Sequence, residues 1–153
     1  MKKTSPILKV LFVFTFITIG FASFTTCTAQ SIVGKWKGVS LKSFYTPEYA
    51  KMTGKKIVEE KTAKEAGESW GEYKSDHTFI MSFSAPNSSE VTTMKGTWSL
   101  MGDQLKSTLE PKYNPGKITS TATISINGNT MVTTAVSPPG GMVTKTISTC
   151  TRM

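Results

Sequence analysis

The sequence predicts an all-β domain, and three observations predict it. Thr, Ser, Val and Ile are abundant beyond residue 30, and Val, Ile and Thr suit a pleated, half-buried surface. Turn residues recur at short intervals, the spacing of a barrel or a sandwich of short strands. Phe79, Met81 and Phe83 alternate with Thr78, Ile80 and Ser82. That period of two puts the large apolar groups on one face of a strand.

Taken in order, the pattern gives eight strands. The first covers about Ile32 to Phe44. The second runs from Ser69 to Lys74 and the third from His77 to Ser84, with a tight turn at Ser75-Asp76 between them. Pro86-Asn87-Ser88-Ser89 is a polar loop. The fourth strand spans Val91 to Leu100, where Met94, Gly96, Trp98 and Leu100 share a face. Gly102-Asp103 turns the chain into a fifth strand, Gln104 to Leu109, and Pro111 to Gly116 forms the next loop. The sixth strand is Lys117 to Ile126. Asn127-Gly128 then predicts a type I′ hairpin, because both residues tolerate positive φ. The seventh strand runs from Asn129 to Val136, Pro138-Pro139-Gly140-Gly141 breaks it, and the eighth covers Met142 to Arg152.

One stretch departs from this pattern. Thr46-Pro47-Glu48 supplies an N-cap, a first-turn proline and a carboxylate near the positive helix end, and Gly54 supplies the stop. A second helix is predicted over Ile57 to Ala66, with a Glu60–Lys64 pair at the favourable i,i+4 spacing. The domain is therefore expected to carry a short helical insertion between its first and second strands.

Residues 1–29 read as a secretory signal peptide. Lys2, Lys3 and Lys9 are its basic region and Val10 to Phe24 its apolar run. That run is shorter than the roughly 20 residues a spanning helix needs. Cleavage after Ala29 leaves the domain as residues 30–153, secreted or periplasmic. The alternative keeps Cys27 as an acylated lipoprotein cysteine and anchors the protein to a membrane, although Phe24-Thr25-Thr26 is a poor lipobox. After cleavage only Cys150 remains. It is expected to be buried in the last strand, as a lone thiol in an oxidising compartment must be.

The formal charge of +8 falls by three when the early lysines leave. The remaining lysines are scattered, without the basic, aromatic-interleaved run of a nucleic-acid binder. Lys51, Lys55 and Lys56 cluster near the helical insertion, where they either attract an anionic headgroup or, as the charges of an exposed face usually do, form a solvated surface. His77 is the single histidine and follows a tight turn. Without clustered Cys, Asp or Glu it makes a poor metal or catalytic site. Serines form no nucleophile elbow, and Gly140-Gly141 lacks the helix and Lys-Ser/Thr of a phosphate loop. Neither catalysis nor a cofactor is expected.

Gly34-Lys35-Trp36 opens the domain and Cys150-Thr151-Arg152 closes it. This pairing resembles the calycins, the lipocalins and intracellular fatty-acid-binding proteins. Asp76-His77-Thr78-Phe79 and Gly96-Thr97-Trp98-Ser99-Leu100-Met101-Gly102-Asp103 are similar to segments of small secreted lipocalin-like domains of bacteria. The resemblance implies an eight-stranded antiparallel up-and-down barrel whose last strand lies beside its first. It implies that Trp36 and Arg152 form a structural plug at one end, and that the helical insertion sits where fatty-acid-binding proteins carry a lid.

The expected role is binding of a small hydrophobic or amphipathic ligand inside the barrel, since a barrel of this size either fills its interior or holds one small ligand. Phe44, Tyr49, Trp70, Phe79, Met81, Phe83, Met94 and Trp98 supply the candidate lining. The alternative is an envelope interaction or structural module with a filled barrel.

Overall fold

A computed structural model describes residues 32–110 and 116–153. The signal segment at 1–29 lies outside the described residues, as does most of the loop after Glu110. The elements are β1 (Gly34–Tyr45), α1 (Pro47–Thr53), β2 (Val58–Thr62), α2 (Ala63–Ala66), β3 (Ser69–Tyr73), β4 (Thr78–Ser84), β5 (Val91–Met101), β6 (Gln104–Glu110), β7 (Ile118–Asn127), β8 (Thr130–Val136) and β9 (Val143–Arg152).

From β3 to β9 every strand pairs antiparallel with the next in sequence. β1 pairs with β3 on one side and with β9 on the other, so the sheet closes into a barrel of eight strands. The strand β2 stands outside this count. It pairs only with the second half of β1, from Ser40↔Thr62 to Phe44↔Val58.

That strand corrects the second predicted helix. The stretch from Ile57 is a strand over Val58–Thr62, and only Ala63–Ala66 is helical. Pairing with β1 satisfies its backbone on one edge. Lys42 reaches Glu60 across the pair at 3.6 Å, in place of the Glu60–Lys64 contact along a helix. The remaining turn, α2, is held by Glu65, whose carboxylate accepts from the Thr62 N–H at 2.9 Å and its hydroxyl at 2.8 Å. The helix α1 forms as expected, with Thr46 capping the Tyr49 N–H at 3.3 Å and Gly54 left-handed at φ 68.

The β7–β8 hairpin also differs by one residue. Asn127 pairs with Thr130, so Gly128 and Asn129 are the central residues. Gly128 has φ 55 and Asn129 is not among the positive-φ residues, the pattern of a turn with glycine at its first central position.

The core is gathered at one end. Ile32, Trp36, Tyr73, Phe79, Trp98, Leu105, Ile124 and Met131 form one buried cluster. Each strand residue among them lies where β1, β4, β6 and β8 begin or where β3, β5 and β7 finish. Tyr73 stacks on Phe79 with centroids 5.6 Å apart and meets Trp98 edge-on at 5.8 Å. Gly96 permits this packing. A Cβ there would run into the Thr108 carbonyl oxygen and the Phe79 ring.

Candidate functional site

The closed end is sealed by the two termini of the barrel. Trp36 is 1% exposed, and its indole N–H donates to the Ile32 carbonyl at 2.8 Å. Arg152 stands directly across the β1–β9 ladder from it. The guanidinium carbon lies 4.3 Å from the indole centroid, and Nη1 donates to the Val33 carbonyl at 2.9 Å. Gly34 leaves room for that group, since a Cβ there would meet Nη1 at 2.8 Å.

The other half of the barrel is built differently, and a bulge in β1 decides how. Gly38 pairs with Cys150, but Ser40, two residues on, pairs with Thr149. The extra residue, Val39, shifts the alternation of everything after it. Leu41 and Ser43, opposite Ser148 and Thr146, face inward with Trp36. Lys42 and Phe44, opposite Ile147 and Lys145, face outward, and the Lys145 ammonium lies 5.3 Å from the Phe44 ring centroid.

Around the rest of this half the inward positions mix hydroxylated residues with apolar ones such as Met81, Met94, Leu109 and Ile118. They include Ser69, Phe83, Thr92, Ser107, Ser120, Thr133, Thr146 and Ser148. On the β1, β3 and β4 side this half opens into a cleft of about 480 Å³. Its floor is Gly38, Val39, Leu41, Ser69, Phe83, Thr92 and Ser148. Its two lips are α2, with Ala63 and Ala66, and the β4–β5 loop, with Ala85, Pro86, Ser88 and Glu90. Gly67 holds the lips at this separation. It has φ 96, and a Cβ would strike the Ser84 carbonyl oxygen, so only glycine brings the chain this close to the end of β4.

The eight predicted lining residues separate into four groups. Met81, Phe83 and Met94 face inward, Met81 directly across from Met94 and Phe83 across from Thr92. Phe79 and Trp98 also face inward, but they are 1% and 3% exposed and belong to the packed end. Phe44 and Trp70 face outward, Phe44 because of the bulge and Trp70 because β3 turns Ser69, Gly71 and Tyr73 inward. Tyr49 sits on α1, 5.4 Å from Tyr45, with the Lys55 ammonium above both rings. It lines a rim groove of about 570 Å³ between α1 and the β8–β9 loop.

Val39, Leu41, Ser69, Thr92 and Ser148 were not among the expected residues. Gly38 was the available signal, since a glycine inside a strand often marks a bulge.

Cys150 is inward-facing and partly buried, and its sulfur lies 3.7 Å from the Ser148 hydroxyl. Burial pushes its thiol above the ordinary value, which makes it a poor nucleophile. His77 is exposed at the β3–β4 turn, at the packed end, with its ring 4.8 Å from Trp98. Among the described residues no cluster of three His, Cys, Asp or Glu side chains is arranged to hold a metal ion.

No protein-family model matches the chain, and no curated protein matches it. Among solved structures it is similar to one described as the siderocalin Ex-FABP, a protein that functions through dual ligand specificities. The two are 14% identical, the match covers 80% of this chain and 74% of that one, and the TM-score is 0.44. The fold is lipocalin-like. That statement rests on the barrel itself, eight antiparallel strands in sequence order with the last paired to the first.

Proposed function

We propose that the protein is an exported, non-catalytic binding protein that holds one small amphipathic molecule in the open half of its barrel. A single observation carries this reading. Val39, Leu41 and Phe83 line one cleft of the barrel yet stay 44%, 39% and 38% exposed. Apolar side chains that converge on a concave, solvent-open space are what a ligand covers. Entry lies between α2 and the β4–β5 loop, beside the helical insertion and at the far end from Trp36 and Arg152.

The absence of catalysis from this reading is supported by the placement of His77 and Cys150. The first stands at the packed end, and the second is held protonated by burial. Export rests on the signal-like segment at 1–29. Acylation of Cys27 would instead tether the same barrel to a membrane. The filled-barrel reading draws on the other half of the molecule, where Trp36, Phe79 and Trp98 are buried in one packed cluster.

Titration with the uncharged fluorophore Nile red separates the two readings. Saturation at one dye per chain is expected, with affinity reduced by Leu41→Trp, which fills the cleft. A folded protein that leaves the dye unchanged would sink the binding role and favour the filled barrel.

A further inference from the structure

The polar lining of the cleft is one-sided. Six hydroxyl residues border it: Ser40, Ser69, Ser84, Ser88, Thr92 and Ser148. Among the described residues, the charged ones along it are Glu68 and Glu90, and none of its lining is Lys, Arg or His. Without Lys2, Lys3 and Lys9 the formal charge of +8 is still +5, so this departs from the surface average.

The nearby cations are turned outward or engaged elsewhere. Lys37, opposite Trp70, faces outward and reaches Glu68 at 3.4 Å. Lys42 faces outward and reaches Glu60. Lys95 pairs with Ile80 and Glu110 on the outer face. Arg152 is held against Trp36 at the opposite end.

Resting on the binding role proposed above, we infer that the cleft takes an uncharged amphiphile, an alkyl chain bearing a hydroxyl or amide head, and discriminates against a fatty-acid anion of the same length. Val39, Leu41 and Phe83 provide the surface for the chain. The hydroxyls both donate and accept, which matches a neutral head. A carboxylate brought into the cleft loses hydration, finds the nearest cation, Lys37, already paired with Glu68, and passes Glu90, a group of its own sign.

Isothermal titration calorimetry near neutral pH tests this with monolauroylglycerol and sodium laurate, both below their aggregation concentrations. Monolauroylglycerol is expected to bind at one per chain, with laurate weaker by about tenfold or more, the loss that follows from one unpaired charge. Thr92→Lys adds a cation at an exposed position of the cleft and is expected to narrow that ratio. Laurate binding as tightly as monolauroylglycerol overturns the inference while leaving the binding role in place. So does a protein that binds Nile red but neither lauroyl compound. A ratio unmoved by Thr92→Lys removes the charge argument. Failure to bind Nile red as well removes the binding role itself.

Discussion

Arg152 does two jobs with one side chain. Its plane covers the Trp36 indole and its Nη1 satisfies the Val33 carbonyl, which precedes the first strand. A desolvated cation–π contact of this kind is worth on the order of 2 kcal/mol. Arg152→Ala is therefore expected to lower the thermal midpoint by roughly 5 °C or more without changing ligand affinity, because the cleft lies at the other end. Arg152→Lys keeps the charge but loses the flat stacking surface, and should recover only part of the loss. A midpoint unchanged in Arg152→Ala, measured by differential scanning calorimetry, would mean that the barrel end is closed by the strands alone. Trp36 and Arg152 were legible in the sequence through the resemblance of Gly34-Lys35-Trp36 and Cys150-Thr151-Arg152 to the first and last strands of calycin barrels.

At the level of elements, the β3–β4 hairpin shows how a local device sets register. The Asp76 carboxylate accepts from the Thr78 hydroxyl at 2.6 Å and the Thr78 N–H at 2.9 Å. Those two donors hold its carboxyl below the ordinary value of 3.8. A carboxyl whose folded value is depressed stabilises the fold in its ionised form. That contribution is complete above the ordinary value and fades as pH falls through the lower, folded one. Asp76→Ala is thus expected to melt at a lower temperature near neutral pH, with the gap to the parent protein closing in strong acid. Thermal melts that stay separated by a constant amount across the acid range would show that the carboxylate charge is not what the turn uses. Such turns were readable from sequence because their signals are local. The strand β2 was not. Its five residues include Glu59, Glu60 and Lys61, a pattern that suits a helix, and only pairing with β1, distant in sequence, makes it a strand. The outward turn of Phe44 was hidden for a related reason. One extra residue at Val39 reverses every later position of β1, and alternation read from Trp36 alone carries straight through it.

Across the whole molecule, the packed core and the open cleft stand at the two ends of one barrel. The sequence shows ten or so large apolar and aromatic residues on alternating positions, and it does not show which end each occupies, because that follows from strand direction and pairing. Phe79 and Phe83 make the division testable, since they share a strand and a face. Phe79 is 1% exposed and packs on Tyr73, whereas Phe83 is 38% exposed and lines the cleft. Removing a buried phenylalanine costs about 3–5 kcal/mol, so Phe79→Ala is expected to unfold at a much lower denaturant concentration. Phe83→Ala gives up only the covered part of its ring, a cost of about 1–1.5 kcal/mol. The folded Phe83→Ala protein should nonetheless bind Nile red several-fold more weakly, because the ligand itself covers the ring's exposed face. Chemical denaturation and dye titration on the two variants read the two effects separately. If Phe83→Ala lost stability as heavily as Phe79→Ala and kept its affinity, the open half would be core like the other, and the cleft would be a seam in the packing instead of a place for a ligand.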